Sequence, residues 1–430
     1  MTSTNVCTKQ AQIAKLAQEL PGRTIWSLNH HLDMDWLQEA CHRTRKDASA
    51  GVDGMTWEEY SQDLPERLAD LLNRAKGGDH YRAPAVRRVH IPKGKHETRP
   101  LGIPTLEDKI LQRAVTMVLE PIYEQEFLDC SMGYRPKRSP HQALQVIWEQ
   151  IMRTGGCWLI DADIAKFFDT LDKSVLRKLL HQRVGDGVIR RLIGKWLSAG
   201  VLDKGAMQYP QKGTPQGGVI SPMLSNIYLH EVLDLWFEQQ IKPRLRGRAW
   251  MVRYADDFVM GFEHEQDARR VHEVLYRRFE KHGLRIHPEK TRLLPFFPPS
   301  HDGKRETFDF LGFTHSWGTS RKGRPIVKRQ TMSKRLTRAL DGLRQYCRKN
   351  RCRPLEVQRS TLRRKMQGHY QYYGITGNWR QLANYAHEAE RIWRYWLNRR
   401  SRQRDMPWER FKRILARYPL PPPRIVHSYA

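Results

Sequence analysis

The sequence contains no apolar run approaching the roughly 20 residues of a membrane span, and its first ten residues lack the apolar core of a signal peptide. Cysteine is scarce and scattered: Cys7, Cys41, Cys130, Cys157, Cys347 and Cys352 fall mostly in helix-like or strand-like text. No second Cys/His pair accompanies Cys347 and Cys352, so neither a disulfide framework nor a zinc knuckle is indicated, and free thiols in a reducing cytoplasm are expected. No internal repeat is present. Acid is also short, with 46 Asp and Glu against 75 Lys and Arg in 430 residues, a net charge of +29. Solubility needs far less, so a polyanionic partner is implied, nucleic acid first and an anionic membrane second. The last stretch, 321–430, holds 29 of those basic residues against 6 acids, mostly as arginine, which suits bidentate phosphate contacts.

What acid there is clusters. In residues 248–262, Trp250, Val252 and Tyr254 alternate on one side of Asp256 and Asp257, and Phe258, Met260 and Phe262 alternate on the other. That period-2 pattern predicts a hairpin with both carboxylates at its tip. Alone, the pair reads equally as a polar turn or as part of a site for a hard divalent cation. Ninety-three residues upstream of Asp256, Trp158 to Ile160 read as a buried strand ending in Asp161 and Asp163, which share a face, with Asp169 beyond. An acid at the end of an apolar strand would make the other half of such a site.

Around these blocks the chain reads as mixed. Residues 1–46 look helical, and Thr56 is a plausible N-cap for a helix running through Leu72. Val86 to Pro104 reads as two short strands around a turn bearing Lys93, Lys95 and Arg99: a charged hairpin tip, or a clamp on a triphosphate or template backbone. Ile110, Leu111, Ala114, Val115, Val118 and Leu119 line one face of a helix over 106–127, and another helix spans about 140–153. Gly213 to Pro222 reads as a helix start or as a loop whose backbone approaches a nucleotide, leading into a helix from Met223 to Trp236. Phe308 to Phe313 reads as one strand. From Arg321 strands disappear and four amphipathic helices follow, with Pro419 to Pro423 ending the folded part.

Taken in order, Gly51–Gly54, Arg99–Pro104, Gly133–Pro136, Asp163–Asp169, Pro215–Pro222, Tyr254–Asp257, Glu289–Thr291 and Phe310–Phe313 resemble the polymerase blocks of bacterial group II intron-encoded reverse transcriptases, and Gly368–Gly374 looks like their helical thumb and maturase region. The resemblance implies an α+β right-hand polymerase with fingers, an antiparallel-sheet palm and a helical thumb. It places an N-terminal extension with a fingers-tip loop at 1–75, fingers and palm at 76–320, the thumb or maturase domain at 321–385, and a basic helical segment like a DNA-binding domain at 386–430. No Cys pairs or His-Asn-His text precede Ala430, so no nuclease domain is expected. Intron-free relatives acting in DNA repair or host defence are similar over the same length. Some of them carry a bulkier residue where this chain has Ala255, which favours the intron-encoded reading.

The implied activity is RNA-directed DNA synthesis in the bacterial cytoplasm, from a DNA or RNA primer and deoxynucleoside triphosphates, with binding of intron RNA to assist splicing. The implied cofactor is a pair of Mg2+ ions about 4 Å apart, with Mn2+ as a substitute. Their expected ligands are Asp163, Asp256, Asp257 and the Ile164 carbonyl, with Asp161 as a neighbouring acid. By the same resemblance Lys93 and Arg99 would hold the triphosphate, and Phe168, or its neighbour Phe167, would exclude a 2′-hydroxyl. Gln216 would line the nucleotide pocket, Lys290 would protonate pyrophosphate, and Phe310–Phe313 would hold the primer terminus.

Overall fold

A computed structural model describes residues 2–77, 80–92, 98–209, 212–213, 217–298, 306–320, 322–400 and 406–428. The chain divides into two compact units, one of residues 1–139 with 159–293, the other of 140–158 with 294–430. Among the described residues the strands are β1 (Val86–Pro92), β2 (Thr98–Ile103), β3 (Cys157–Asp163), β4 (Val201–Asp203), β5 (Ala206–Gln208), β6 (Ala249–Tyr254), β7 (Asp257–Phe262), β8 (Arg292–Phe296), β9 (Thr307–Phe310), β10 (Phe313–Thr319) and β11 (Pro325–Thr331). No helix among them is long and apolar enough to cross a membrane.

In the first unit, one sheet has the order β2-β1-β4-β5, with β1 antiparallel to β2 and parallel to β4. The other places β6, β7 and β3 side by side in that order. The hairpin β6–β7 forms as its alternation predicts, with Tyr254 opposite Asp257. Its alternation does not mark a solvent face, however: β6 is buried along its first five residues and β7 along its last five. Gly261 makes room for this, since a Cβ there would lie 2.2 Å from the ring of Trp250, its cross-strand partner.

The expected helix over 106–127 is Leu106–Tyr123, but it is buried on every side rather than on one face. Its polar residues are accommodated by specific partners: Asp108 accepts from Tyr81 and Trp196, and Lys109 donates to the Ser49 carbonyl at 2.6 Å. Burial pushes the Asp108 carboxyl up to about 7, against these hydrogen bonds. Thr56 caps as expected and completes a capping box with Glu59, but the helix it opens is only Trp57–Tyr60; a 3-10 turn at Ser61–Asp63 separates it from the helix Leu64–Lys76, so it does not run unbroken through Leu72. Residues 1–46 are not one helical stretch: helices at Thr2–Glu19 and Met34–His42 flank a non-helical connection. The helix expected from Met223 begins at Ser221 and leaves α geometry at His230, continuing as π-helical turns to Ile241.

In the second unit, β11-β10-β9 form an antiparallel sheet. Strands therefore continue past residue 321, and the helices start at Ser333. The stretch 308–313 is a turn rather than a single strand. Leu311 and Gly312 both take positive φ, the geometry of a two-residue hairpin connection, and Phe310 pairs with Phe313. Helices Ser333–Asn350, Leu355–Tyr373, Trp379–Leu397 and Trp408–Arg417 share a core of Leu340, Leu343, Cys347, Leu362, Met366, Leu382, Tyr385, Trp393 and Phe411, largely the apolar positions that their 3.6-residue period picks out. The proline stretch does not end the ordered chain. Beyond it the Val426 and His427 amides donate to the Gly374 carbonyl, and His427 stacks on His141.

Candidate active site

The sheet order decides which acids meet. Hairpin strand β7 is the neighbour of β3, so the turn bearing Asp256 and Asp257 lies beside the strand end bearing Asp161 and Asp163. Their electrostatics record that proximity. Asp257 stays partly exposed, yet its carboxyl is pushed up to about 7, first by lost hydration and then by the charges of Asp256, Asp163 and Asp161, against a smaller opposing effect of Lys290. Asp256 also rises, through burial foremost and Asp163 next, while Arg99 and Arg253 oppose the shift. Tyr134 faces the same cluster: burial raises its phenol, and Asp256 and Asp257 add to that.

Two cations already engage the acids. Lys290 Nζ lies 2.8 Å from Asp163 Oδ2, and Arg292 lies 3.1 Å from Asp161 Oδ2. Ile164 bridges Ile286 through the bonds His287 N–H to Asp163 O and Ala165 N–H to Arg285 O, so this bridge uses neither the N–H nor the carbonyl of Ile164. Among the described residues no three His, Cys, Asp or Glu side chains converge tightly enough to hold a metal ion.

Phe168 and Phe167 part company. Phe168 lines a cavity of about 360 Å³ together with Arg88, Asp169, Lys173 and Gly213, whereas Phe167 turns inward to pack near Tyr228. Arg99 stands on β2 opposite Ile91. Lys93, Lys95 and Gln216 lie outside the described residues. The glycines of the 213–222 loop approach protein backbone closely: a Cβ at Gly213 would sit 2.6 Å from the Phe168 carbonyl oxygen, and one at Gly217 2.4 Å from that of Gly102.

Behind the acidic turn is a group that sequence reading passed over. Arg253, fully buried on β6, donates to Asp234 at 2.7 and 2.5 Å, to Asn226 at 3.0 Å, to Ser131 at 2.7 Å, and to the Ala255 carbonyl of the turn itself at 3.1 Å. Burial alone would raise the Asp234 carboxyl, but the Arg253 charge and hydrogen bonds hold it below the usual range. Asn226 in turn donates to the Gly133 carbonyl, and a Cβ at Gly133 would lie 2.2 Å from the Ala255 amide. The turn, where Ala255 has φ 60°, is thus clamped from beneath. A charged residue centred in an apolar strand was the available signal. Arg253→Met should cost about 3–5 kcal/mol in denaturant unfolding, because Asp234 is left buried without its counter-charge. Adding Asp234→Leu should recover part of that loss.

The raised acids carry a second expectation. A carboxyl at about 7 in the folded chain, against about 4 unfolded, keeps a proton that the unfolded chain releases. The stability it contributes is present at low pH and is lost as pH rises through 7. In EDTA, Asp257→Asn should therefore match wild type near pH 4.5 and melt about 1–2 °C higher near pH 8, an effect of about 1 kcal/mol once solvent screening at the exposed rim is allowed for.

Residues 91–315 match the profile of the family described as "Reverse transcriptase (RNA-dependent DNA polymerase)". The chain is similar to Protein YkfC of Escherichia coli, 38% identical over 257 residues, which cover 53% of this chain and 67% of that protein. It is similar to the group II intron-encoded protein LtrA of Lactococcus lactis, 40% identical over 187 residues, or 42% of this chain and 31% of LtrA. It also resembles nuclear intron maturase 4, mitochondrial, of Arabidopsis thaliana, 30% identical over 185 residues, or 39% of this chain and 23% of that protein. The match thus spans two thirds of the first of these relatives and less than a third of the other two.

Proposed function

Since the chain belongs to the reverse transcriptase family, on its group II intron-like branch, we propose that it extends a DNA or RNA primer on an RNA template by two-metal nucleotidyl transfer. The observation that carries this reading is that β7 lies beside β3, which puts Asp163 within the electrostatic reach of Asp256 and Asp257; burial first, and then repulsion among these carboxylates, raises Asp257 to about 7. Hard oxygen donors that repel one another are the donor set a divalent cation relieves. Asp163, Asp256, Asp257 and the Ile164 carbonyl would hold magnesium. Magnesium bound there supplies the charge that acidifies a primer 3′-hydroxyl and neutralises the departing pyrophosphate.

The chain's own side chains do the rest. Arg99, whose charge already acts on Asp256, grips the triphosphate with Lys93 as its partner, and Gln216 borders the base. Phe168 lies under the sugar, a role supported by its place on the cavity wall while Phe167 is turned inward. Phe168→Ala should raise ribonucleotide incorporation about tenfold or more over wild type in single-nucleotide extension; unchanged discrimination would place the gate elsewhere. Lys290 carries a proton beside Asp163 and delivers it to pyrophosphate. Arg253 positions the turn and touches no reactant.

On this reading the first unit supplies fingers and palm, and the helices from Ser333 supply a thumb whose basic surface follows the duplex. That surface also binds a folded intron RNA and assists its splicing, a role in keeping with the name of the Arabidopsis relative, an intron maturase. A group II ribozyme flanking the reading frame would support the splicing role. Flanks without one would assign the polymerase to an intron-free task.

A further inference from the structure

Within the second unit a cavity of about 450 Å³ opens between helices Ser333–Asn350, Trp379–Leu397 and Trp408–Arg417. Its wall includes Arg344, Arg391, Arg394, Tyr395, Asn398 and Trp408. Two of its aromatics stand unusually open for their size, Tyr395 at 49% and Trp408 at 36% exposure. Both carry a guanidinium: Arg394 lies 4.4 Å from the Trp408 ring centroid and Arg399 lies 4.1 Å from that of Tyr395. Arg394 is held there by its bond to the Met406 carbonyl at 2.8 Å. Asn398 Oδ1 is buried yet has no hydrogen-bond partner among the described residues. A buried amide oxygen left in that state is costly unless a ligand donates to it. Glu388 is tied to Arg391 at 2.8 Å and Asp341 to Arg344 at 2.7 Å, so the excess positive charge comes from Arg394 and the nearby Arg399, while each paired guanidinium has five N–H donors, more than one carboxylate occupies.

We propose that this cavity receives one unpaired nucleotide of a structured RNA. The base lies against the Tyr395–Trp408 wall, its edge meets the Asn398 amide, and its phosphate is taken by Arg344 and Arg391. The inference rests on the RNA-binding reading above and adds a site to it. A nucleotide fits on three independent grounds. The volume suits one base with its sugar. Exposed rings interleaved with guanidiniums are the surface on which splayed bases stack. An amide can meet a base edge with either its oxygen or its NH2. A paired helix offers none of these groups, because its bases are already stacked and their edges engaged.

The test uses the full chain and two short RNA duplexes of one sequence, one fully paired and one carrying a single unpaired 2-aminopurine bulge. Wild type should bind the bulged duplex about tenfold tighter and change its 2-aminopurine emission. Tyr395→Ala, on a half-exposed side chain, should remove the preference, and Tyr395→Phe should keep it. Asn398→Ala should weaken it. If wild type binds both duplexes equally, or if the preference survives both alanine variants, the pocket is refuted while general RNA binding stands. If wild type binds neither duplex, the RNA-binding reading fails, and the pocket falls with it.

Discussion

Asp256→Ala is expected to lower primer extension on an RNA template by about a thousandfold or more, with RNA affinity held within about threefold. The size follows from where the residue lies. Asp256 is in the turn between β6 and β7, next to Asp257 and within the field of Asp163. On the proposed reading it deletes one of two carboxylates, drawn from separate segments, that would hold the catalytic metal. It removes no part of the arginine-rich helices, so binding and chemistry should separate. Extension with Mg2+ by wild type and variant, scored beside filter binding of the same template, checks both halves. A variant that still extends would remove Asp256 from the metal site. The Arg253 clamp makes the comparison informative, because the turn is held by bonds to the Ala255 carbonyl rather than by the Asp256 side chain.

The second large effect concerns salt. Affinity for a structured RNA should fall by about a thousandfold between about 50 and 200 mM monovalent salt, since each neutralised phosphate releases counterions. Helix Leu355–Tyr373 exposes Arg363, Arg364 and Lys365 in a row. Replacing all three with Gln should flatten the log–log slope by about 2–3, roughly one unit per lost phosphate contact. The measurement is a titration of binding against salt for both proteins. A slope unchanged by the triple substitution would place the RNA on another face. No fold change is expected to confuse the result, because all three side chains are exposed, whereas the same helix gives Leu362, Met366 and Tyr370 to the core.

Local pattern served best where one rule acts over a short range. The period-2 text around Asp256 and Asp257 became β6 and β7 with the carboxylates at the connection, and Thr56 capped its helix with Glu59 as its spacing indicates. The helices after Ser333 likewise bury nearly the residues that a 3.6-residue period selects. Pattern misled where burial came from two sides. Leu106–Tyr123 reads as amphipathic because Asp108, Lys109, Gln112 and Thr116 interrupt its apolar residues, yet these too are buried, each satisfied by a partner far along the chain or one turn away. The hairpin's alternation failed as a guide to solvent for the same reason: sequence period reports side-chain character, not what covers each face.

By itself the sequence determined the chemistry available to this protein: a few acids placed at strand ends and a basic C-terminal quarter. Those follow from composition and spacing, which tertiary packing does not alter. Only the tertiary structure decided which acids lie near one another and what holds them. Asp163 comes within the electrostatic reach of Asp256 and Asp257 because β3 lies beside β7 in the sheet, a neighbour relation across ninety-three residues that no local propensity encodes. Arg253 reads as an oddity in an apolar strand until Asp234, Asn226 and Ser131, drawn from three other segments, close around it. A buried charge is tolerated only where distant groups neutralise it, so its purpose is visible only once the chain has brought them together.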